Sequence, residues 1–179
     1  YVAFLLLPFV LYRLLHTVNE IAAKLMMIFA AVSVPISILN LQNKYAVLTL
    51  INDTTYLRTF DASPIHSQMM LHLENYDSGI LIVSIFWGLW LLPFGYLVYR
   101  SGFLPRVLGI LLMLGCVGYL VNFVGNTMVE NFGSSLISNI ASKPAALGEI
   151  GICLWLLIRG INEKALAVGL SENAKWQLD

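Results

Sequence analysis

One acidic residue, Glu149, stands inside an otherwise apolar segment, in the sequence Pro-Ala-Ala-Leu-Gly-Glu-Ile-Gly that begins at Pro144. An ionisable side chain costs about 2.5 kcal/mol or more at the bilayer centre, so it usually faces a bundle interior or water. Gly148 and Gly151 would let a helix or a ligand approach it closely. This pattern predicts a proton-titrating or cation-binding group in an outward-facing cavity. The alternative is a structural role in the first turn of a helix, favoured by the helix dipole.

Asparagines provide the other candidate ligand-binding side chains. Asn122 and Asn126 are four residues apart and therefore share a helix face, which would line a polar pocket within reach of Glu149. The alternative is an interhelical hydrogen bond accompanied by close glycine packing. Asn40 lies in a polar cluster that could join the same outer site or simply mark the end of a crossing.

The chain lacks the residue patterns of the common enzymes and metal sites. It has no HExxH, GxSxG or phosphate-binding glycine loop. His66 and His72 are six residues apart, and Cys116 and Cys153 have no metal-ligand spacing and are expected to be buried core side chains. Four aspartates lie outside the predicted crossings, namely Asp53, Asp61, Asp77 and Asp179. We therefore expect no catalytic residues, no metal and no cofactor.

Composition identifies the solvent of this chain as lipid. The 179 residues are 59% hydrophobic and 11% charged, whereas soluble domains carry about 25% charged residues. Ten basic and ten acidic residues cancel, so there is no net positive charge to indicate a nucleic-acid partner. The predicted fold class is all-α: a polytopic transmembrane helix bundle in a single domain, residues 1–179, with about five spans and a short interfacial helix.

The apolar segments define the crossings. They are predicted at residues 1–15, 22–50, 79–98, 107–124 and 144–161. An outer loop is predicted over 52–76, with the short amphipathic helix at 65–75 inside it, and a solvated tail over 162–179. The first segment is too short to cross about 30 Å of hydrocarbon, which predicts an N-terminal truncation.

The second segment allows two arrangements. In one, the crossing covers 22–41, and 45–51 forms an extension or an interfacial turn. In the other, the crossing covers 25–50 and buries the polar cluster around Asn40 inside the bundle.

Lysines and arginines are distributed unequally between the two ends of the crossings. Seven of the ten fall on one side: Arg13, Lys24, Arg100, Arg106, Arg159, Lys164 and Lys175. The positive-inside rule makes this side, and with it the C-terminus, cytoplasmic in a plasma-membrane protein. The aromatic residues of the third crossing are expected to be lipid-facing and interfacial anchors: Trp87, Trp90, Phe94, Tyr96 and Tyr99.

Residues 88–109, GLWLLPFGYLVYRSGFLPRVLG, resemble the bacterial membrane-protein family called domain of unknown function 4386. The resemblance continues through 110–121, 148–160 and 32–41, and more loosely 11–19. The Ser-Gly-Phe-Leu-Pro-Arg hairpin at 101–106 is its most specific part. Many members have a histidine near the position of Tyr76, where this chain departs from the pattern. The resemblance implies a membrane fold, further sequence before Tyr1, and no assigned activity.

Two functional hypotheses follow from these residues. The first is small-molecule or ion binding or transport through an outward-facing polar pocket formed by Glu149, Asn122, Asn126 and Asn40. It predicts that these side chains converge on a cavity. The second is a non-catalytic scaffold or accessory subunit whose partner is another membrane protein or a second copy of the chain. It predicts a dry interior, a satisfied Glu149 and an exposed glycine-rich face.

Overall fold

A computed structural model describes residues 1–52 and 62–161. Five α-helices make up this described part, together with a 3₁₀ turn at Phe132–Ser134. The helices are α1 (Val2–Leu15), α2 (Glu20–Asn52), α3 (Ala62–Ser101), α4 (Arg106–Met128) and α5 (Leu136–Ile158). The predicted tail, 162–179, and residues 53–61 of the predicted outer loop lie outside the described residues. No strand occurs within the described ranges, so the predicted all-α bundle is confirmed.

The helices pack mainly on their neighbours in sequence, with α3 in the middle of the bundle. It packs against α2 on one side and α4 on the other, while α5 packs on α4 and α1 packs on α2 and α3. The fully buried side chains at one end include Leu15, Met26, Leu97 and Leu112. In the described part, α2 to α5 are each long and apolar enough to cross a membrane, and α1 is a shorter apolar helix. The chain is therefore a multi-pass membrane protein.

Helix α3 is continuous where the sequence analysis predicts a loop and a separate amphipathic helix. Its 40 residues run without a break from Ala62, so residues 65–75 form its N-terminal part. The Asp-Ser-Gly sequence at 77–79 does not end the helix, because Gly79 serves instead as a contact point with α2. A Cβ atom at Gly79 would overlap the side chain of Asn40. Helix α2 likewise continues unbroken to Asn52, and Asn40 is buried.

Helix α5 is also longer than the predicted crossing at 144–161. It begins at Leu136, where the Ser135 hydroxyl accepts a hydrogen bond from the backbone N–H of Ser138 (3.1 Å). It then continues through Pro144, because neighbouring helices in a membrane protein can hold a proline-containing helix together. Its small residues pack closely against α4. A Cβ atom at Gly115 would lie 2.7 Å from the Cα of Ala145.

Basic residues mark one end of the bundle. The helix termini at this end carry Arg13, Lys24, Arg100, Arg106 and Arg159. We call it the basic end. The Arg100–Arg106 connection turns there at Gly102, whose φ of +71° favours glycine. The opposite end holds Asn52, Ala62, Met128 and Leu136, which are the far termini of α2 to α5.

Candidate functional site

Glu149 lies in the interior of α5, thirteen residues after Leu136. At 1.5 Å per residue this distance is about 20 Å along the helix, so Glu149 does not belong to the first turn. The side chain is partly buried. Its carboxylate makes no hydrogen bond and no salt bridge with any other residue that the structure describes. It is close enough to Tyr119 of α4 for an electrostatic interaction.

Three cavities within the described part of the chain are each lined in part by Glu149. The first, which we call the aromatic cavity, has a volume of about 300 Å³ and lies between α1, α3, α4 and α5. Its other lining residues are Tyr1, Phe4, Trp87, Trp90 and Tyr119. The Phe4 and Trp90 rings meet edge to face, with centroids 5.3 Å apart, which fixes α1 against α3 at this level.

The second cavity is an apolar groove of about 180 Å³ between α1 and α5, with α3 as its floor. Helix α1 contributes Phe4, Leu7 and Leu11, and α3 contributes Trp90 and Phe94, whose rings stack 5.2 Å apart. Helix α5 contributes Glu149, Ile152, Cys153 and Leu156. Glu149 is the one charged residue among the described residues that line this groove.

The third cavity, which we call the polar cavity, has a volume of about 320 Å³ and lies between α4 and α5. It brings Asn122 together with Glu149, as the sequence predicts. The Asn122 amide donates a hydrogen bond to the Ser142 hydroxyl (2.8 Å), and that hydroxyl donates to the Ser138 carbonyl (2.8 Å). The Oδ1 atom of Asn122 is buried without a hydrogen-bond partner in the described structure.

The other two predicted ligand-binding residues lie elsewhere. The side chain of Asn126 donates to the backbone carbonyl of Asn122 (2.8 Å) and is exposed. The Asn40 amide donates to the carbonyl of Tyr76 on α3 (2.8 Å) and accepts from Asn43 (3.1 Å). Neither residue lines a cavity that Glu149 lines. Asn40 therefore connects α2 to α3, and the geometry joins only Asn122 to Glu149.

The aromatic lining of the cavities differs from what the sequence predicts. Trp90 and Phe94, expected to face lipid, are only 4% and 2% exposed, because α1 packs over them. Tyr96 and Tyr99 are exposed, as expected for anchors. Cys153, expected in the core, is also exposed. Hydropathy alone does not distinguish a tryptophan facing lipid from one facing a neighbouring helix, so only the position of α1 reveals this lining.

The arrangement suits an organic ligand better than a metal ion. Among the described residues, no group of three or more His, Cys, Asp or Glu side chains could hold a metal. The walls at Glu149 supply one carboxylate, aromatic faces, and the amide and hydroxyl of Asn122 and Ser142. Such walls can enclose an apolar group, accept hydrogen bonds and counter one positive charge.

Fold and site together define a multi-pass α-helical membrane protein in which Glu149, whose carboxylate is unpaired among the described residues, lines cavities between the helices. The sequence model of a family described as "Domain of unknown function (DUF4386)" matches residues 1–160, so the chain belongs to that family. A relative from Archaeoglobus fulgidus, described as an "Uncharacterized protein", is 30% identical over 76 residues, which is 42% of this chain. The match spans 43% of that relative, less than half its length. No solved structure matches the chain.

Proposed function

We propose that this protein is a non-catalytic membrane protein that binds a small molecule in the cavities around Glu149. Binding is the step that a receptor and a transporter share. The observation that carries the proposal concerns Glu149, which lines three cavities and whose carboxylate has no hydrogen-bond or salt-bridge partner in the described chain. Charged groups at membrane depth are costly and usually serve a ligand or ion pathway. Asn122, whose Oδ1 is buried without a hydrogen-bond partner in the described chain, lines the polar cavity together with Glu149.

The scaffold hypothesis receives less support from the same contacts. It expects Glu149 to be satisfied by a neighbouring helix and an exposed glycine-rich face to be free for a partner. The glycines of α4 and α5 instead pack against each other's helices: Gly115 against Ala145, and Gly148 against Leu112. A partner protein or a second copy would have to use another surface.

We also infer the cellular setting from the charge distribution. The lipid bilayer is the first partner, and a plasma-membrane protein with its basic end in the cytoplasm fits the positive-inside rule. Since α5 runs toward the basic end, the C-terminus would then be cytoplasmic. All the α5 residues that line the three cavities precede Arg159 in the sequence and so lie farther from the basic end. The polar cavity, which includes Ser142, extends farthest toward the opposite end of the bundle.

A ligand screen with two pairs of variants tests the proposal. Purified protein in dodecyl maltoside is screened for compounds that raise its melting temperature, since a ligand that binds only the folded state stabilises it. Glu149→Gln is compared with Glu130→Gln, which changes an exposed glutamate in the α4–α5 connection. Ala146→Phe, which fills the polar cavity, is compared with Leu147→Phe at the next, exposed position.

The proposal expects compounds that stabilise the wild type, Glu130→Gln and Leu147→Phe but lose most of their effect on Glu149→Gln or Ala146→Phe. Compounds that stabilise all five proteins equally would indicate binding elsewhere and would overturn it. A wild type that no compound in a broad screen stabilises would favour the scaffold hypothesis.

A further inference from the structure

The aromatic cavity has the composition of a binding site for an organic cation. Five of its six lining residues in the described chain are aromatic, and the sixth is Glu149. The face of an aromatic ring attracts a cation, most strongly for tryptophan, and aromatic enclosures are typical sites for quaternary ammonium groups. Trp87 and Trp90 provide two such rings beside the carboxylate.

The side chains that the structure places around the aromatic cavity include no cation. None of the described residues that line the three cavities is Lys, Arg or His. Lys44 of α2 places its Nζ 4.0 Å from the ring centroid of Tyr76 and is close enough to Tyr1, a lining residue of the aromatic cavity, for an electrostatic interaction. No such interaction links Lys44 to Glu149. A ligand that carries a positive charge would therefore be the first counter-ion of Glu149 and would compensate the cost of its burial.

The same walls disfavour a small inorganic cation. Calcium and magnesium take six or more oxygen ligands in their usual sites. In the aromatic cavity the side-chain oxygens come from Glu149, Tyr1 and Tyr119, and the remaining walls are carbon-rich rings. An organic cation gains from contact with these rings, whereas a metal ion would lose its hydration without replacement.

The apolar groove gives the ligand a second, hydrophobic part. It shares Phe4, Trp90 and Glu149 with the aromatic cavity, so the two spaces lie next to each other. From α1 it is lined at positions 4, 7 and 11, and from α5 at positions 149, 152 and 156, which is the same helical spacing on both sides. Seven residues correspond to about 10 Å of groove running from Glu149 toward the basic end.

We propose that the ligand is an amphiphilic amine, with its protonated or quaternary ammonium group in the aromatic cavity beside Glu149 and its apolar tail in the groove between α1 and α5. This inference rests on the proposed function and narrows it to one class of molecule. A free alkyl amine and the choline group of a phospholipid both present this chemistry, and the experiment below separates them.

Two amphiphiles with the same tail test the importance of the charge. Dodecyltrimethylammonium carries a permanent positive charge, and dodecyldimethylamine N-oxide is uncharged at pH 8. Each is added, at concentrations far below that of the detergent, to the full chain in dodecyl maltoside, and the shift in melting temperature is recorded. We expect the ammonium compound to give at least twice the upward shift of the N-oxide.

Variants locate the effect. Glu149→Gln removes the charge, and Trp87→Leu removes one aromatic wall. Trp155→Leu is the matched control, because Trp155 lies on the same helix as Glu149 but lines none of the three cavities. Its ring centroid lies 5.6 Å from the Cζ atom of Arg159. Each shift is measured against the variant's own baseline. We expect the ammonium-induced shift to persist in Trp155→Leu and to fall at least threefold in the other two.

A chemical measurement on the wild type covers the case in which a variant does not fold. Dicyclohexylcarbodiimide couples to carboxyl groups in apolar surroundings, and mass spectrometry of the Glu149 peptide gives the rate of labelling. The ammonium compound should slow this labelling at a concentration at least tenfold lower than the N-oxide. Equal protection by the two amphiphiles would overturn the inference that the ligand is a cation. It would leave the proposed function standing.

The remaining outcomes are equally decisive. A shift of the same size in Glu149→Gln would overturn the inference, as would a wild type stabilised by neither amphiphile. The proposed function is judged separately, by the ligand screen. If added phosphatidylcholine, but not phosphatidylglycerol, suppresses the ammonium-induced shift, the ammonium group comes from a lipid. If neither lipid does so, the ligand is a free amine.

Discussion

The side chain of Asn40 on α2 lies directly against Gly79 on α3, and its amide donates a hydrogen bond to the carbonyl of Tyr76 one turn earlier (2.8 Å). This contact holds together the two longest helices at the level where α3 continues, on its N-terminal side, beyond its predicted crossing. It also explains why α3 does not break at its Asp-Ser-Gly sequence, since the absence of a side chain at Gly79 is used for packing.

Gly79→Ala should therefore destabilise the α2–α3 pair. The added methyl group would overlap the buried Asn40 side chain, and overpacking of this kind costs about 1–3 kcal/mol. The measurement is thermal unfolding in maltoside, with Ser78→Ala at the neighbouring exposed position as the control. Equal melting temperatures for the two variants would contradict this prediction, because they would show that a methyl group at position 79 fits between α2 and α3 without a loss of stability.

The interhelical bond between Asn122 and Ser142 should contribute a small, measurable coupling. A double-mutant cycle with Asn122→Ala and Ser142→Ala isolates it. Interhelical hydrogen bonds in membrane proteins average about 0.6 kcal/mol and reach about 1.7 kcal/mol. A coupling energy near zero would mean that Asn122 is held by water or ligand in the polar cavity rather than by α5.

Glu149→Gln should give a protein at least as stable as the wild type at pH 8. A charge at the centre of a membrane helix costs about 2.5–3.5 kcal/mol, and part of this cost is removed when glutamine replaces an unpaired carboxylate. We expect a gain on the order of 1 kcal/mol, because the cavities reduce the full penalty. Glu130→Gln should change nothing. A clear loss of stability in Glu149→Gln would instead identify Glu149 as a structural group.

Orientation can be tested with single cysteines in a background that carries Cys116→Ala and Cys153→Ala. Ser134→Cys lies at the end opposite the basic residues, and Ser101→Cys lies at the basic end. A membrane-impermeant maleimide should label Ser134→Cys in intact cells and Ser101→Cys only after permeabilisation, as the positive-inside rule requires. The reverse pattern would place the basic end outside.

The sequence was informative where a property depends on the local segment. Apolar stretches of sufficient length predicted the helices, and the alternation of basic residues predicted a common basic end. Helix ends were harder to predict. Pro144 and Gly79 are residues of low helix propensity, yet neighbouring helices hold both segments in the helical conformation.

The site was only partly predictable for a related reason. The exceptional chemistry of Glu149 can be identified from one residue in an apolar segment, and its cavity neighbour Asn122 follows from helical spacing. The contribution of Phe4 depends on where α1 packs, which no local pattern specifies. Asn40 has the same residue type as Asn122 but a different neighbour, so residue type alone assigned it to the wrong group of contacts.

The groove between α1 and α5 has a consequence for how the affinity of the proposed ligand should be expressed. Leu7 and Cys153, on the two walls of the groove between these helices, are both exposed on the outer surface of the bundle, so the groove opens sideways. A molecule that enters there comes from the hydrocarbon phase, where an amphiphile is far more concentrated than in water. If the proposed ligand binds there, its occupancy would be governed by its mole fraction in the membrane, and a weak intrinsic affinity would suffice to fill the site.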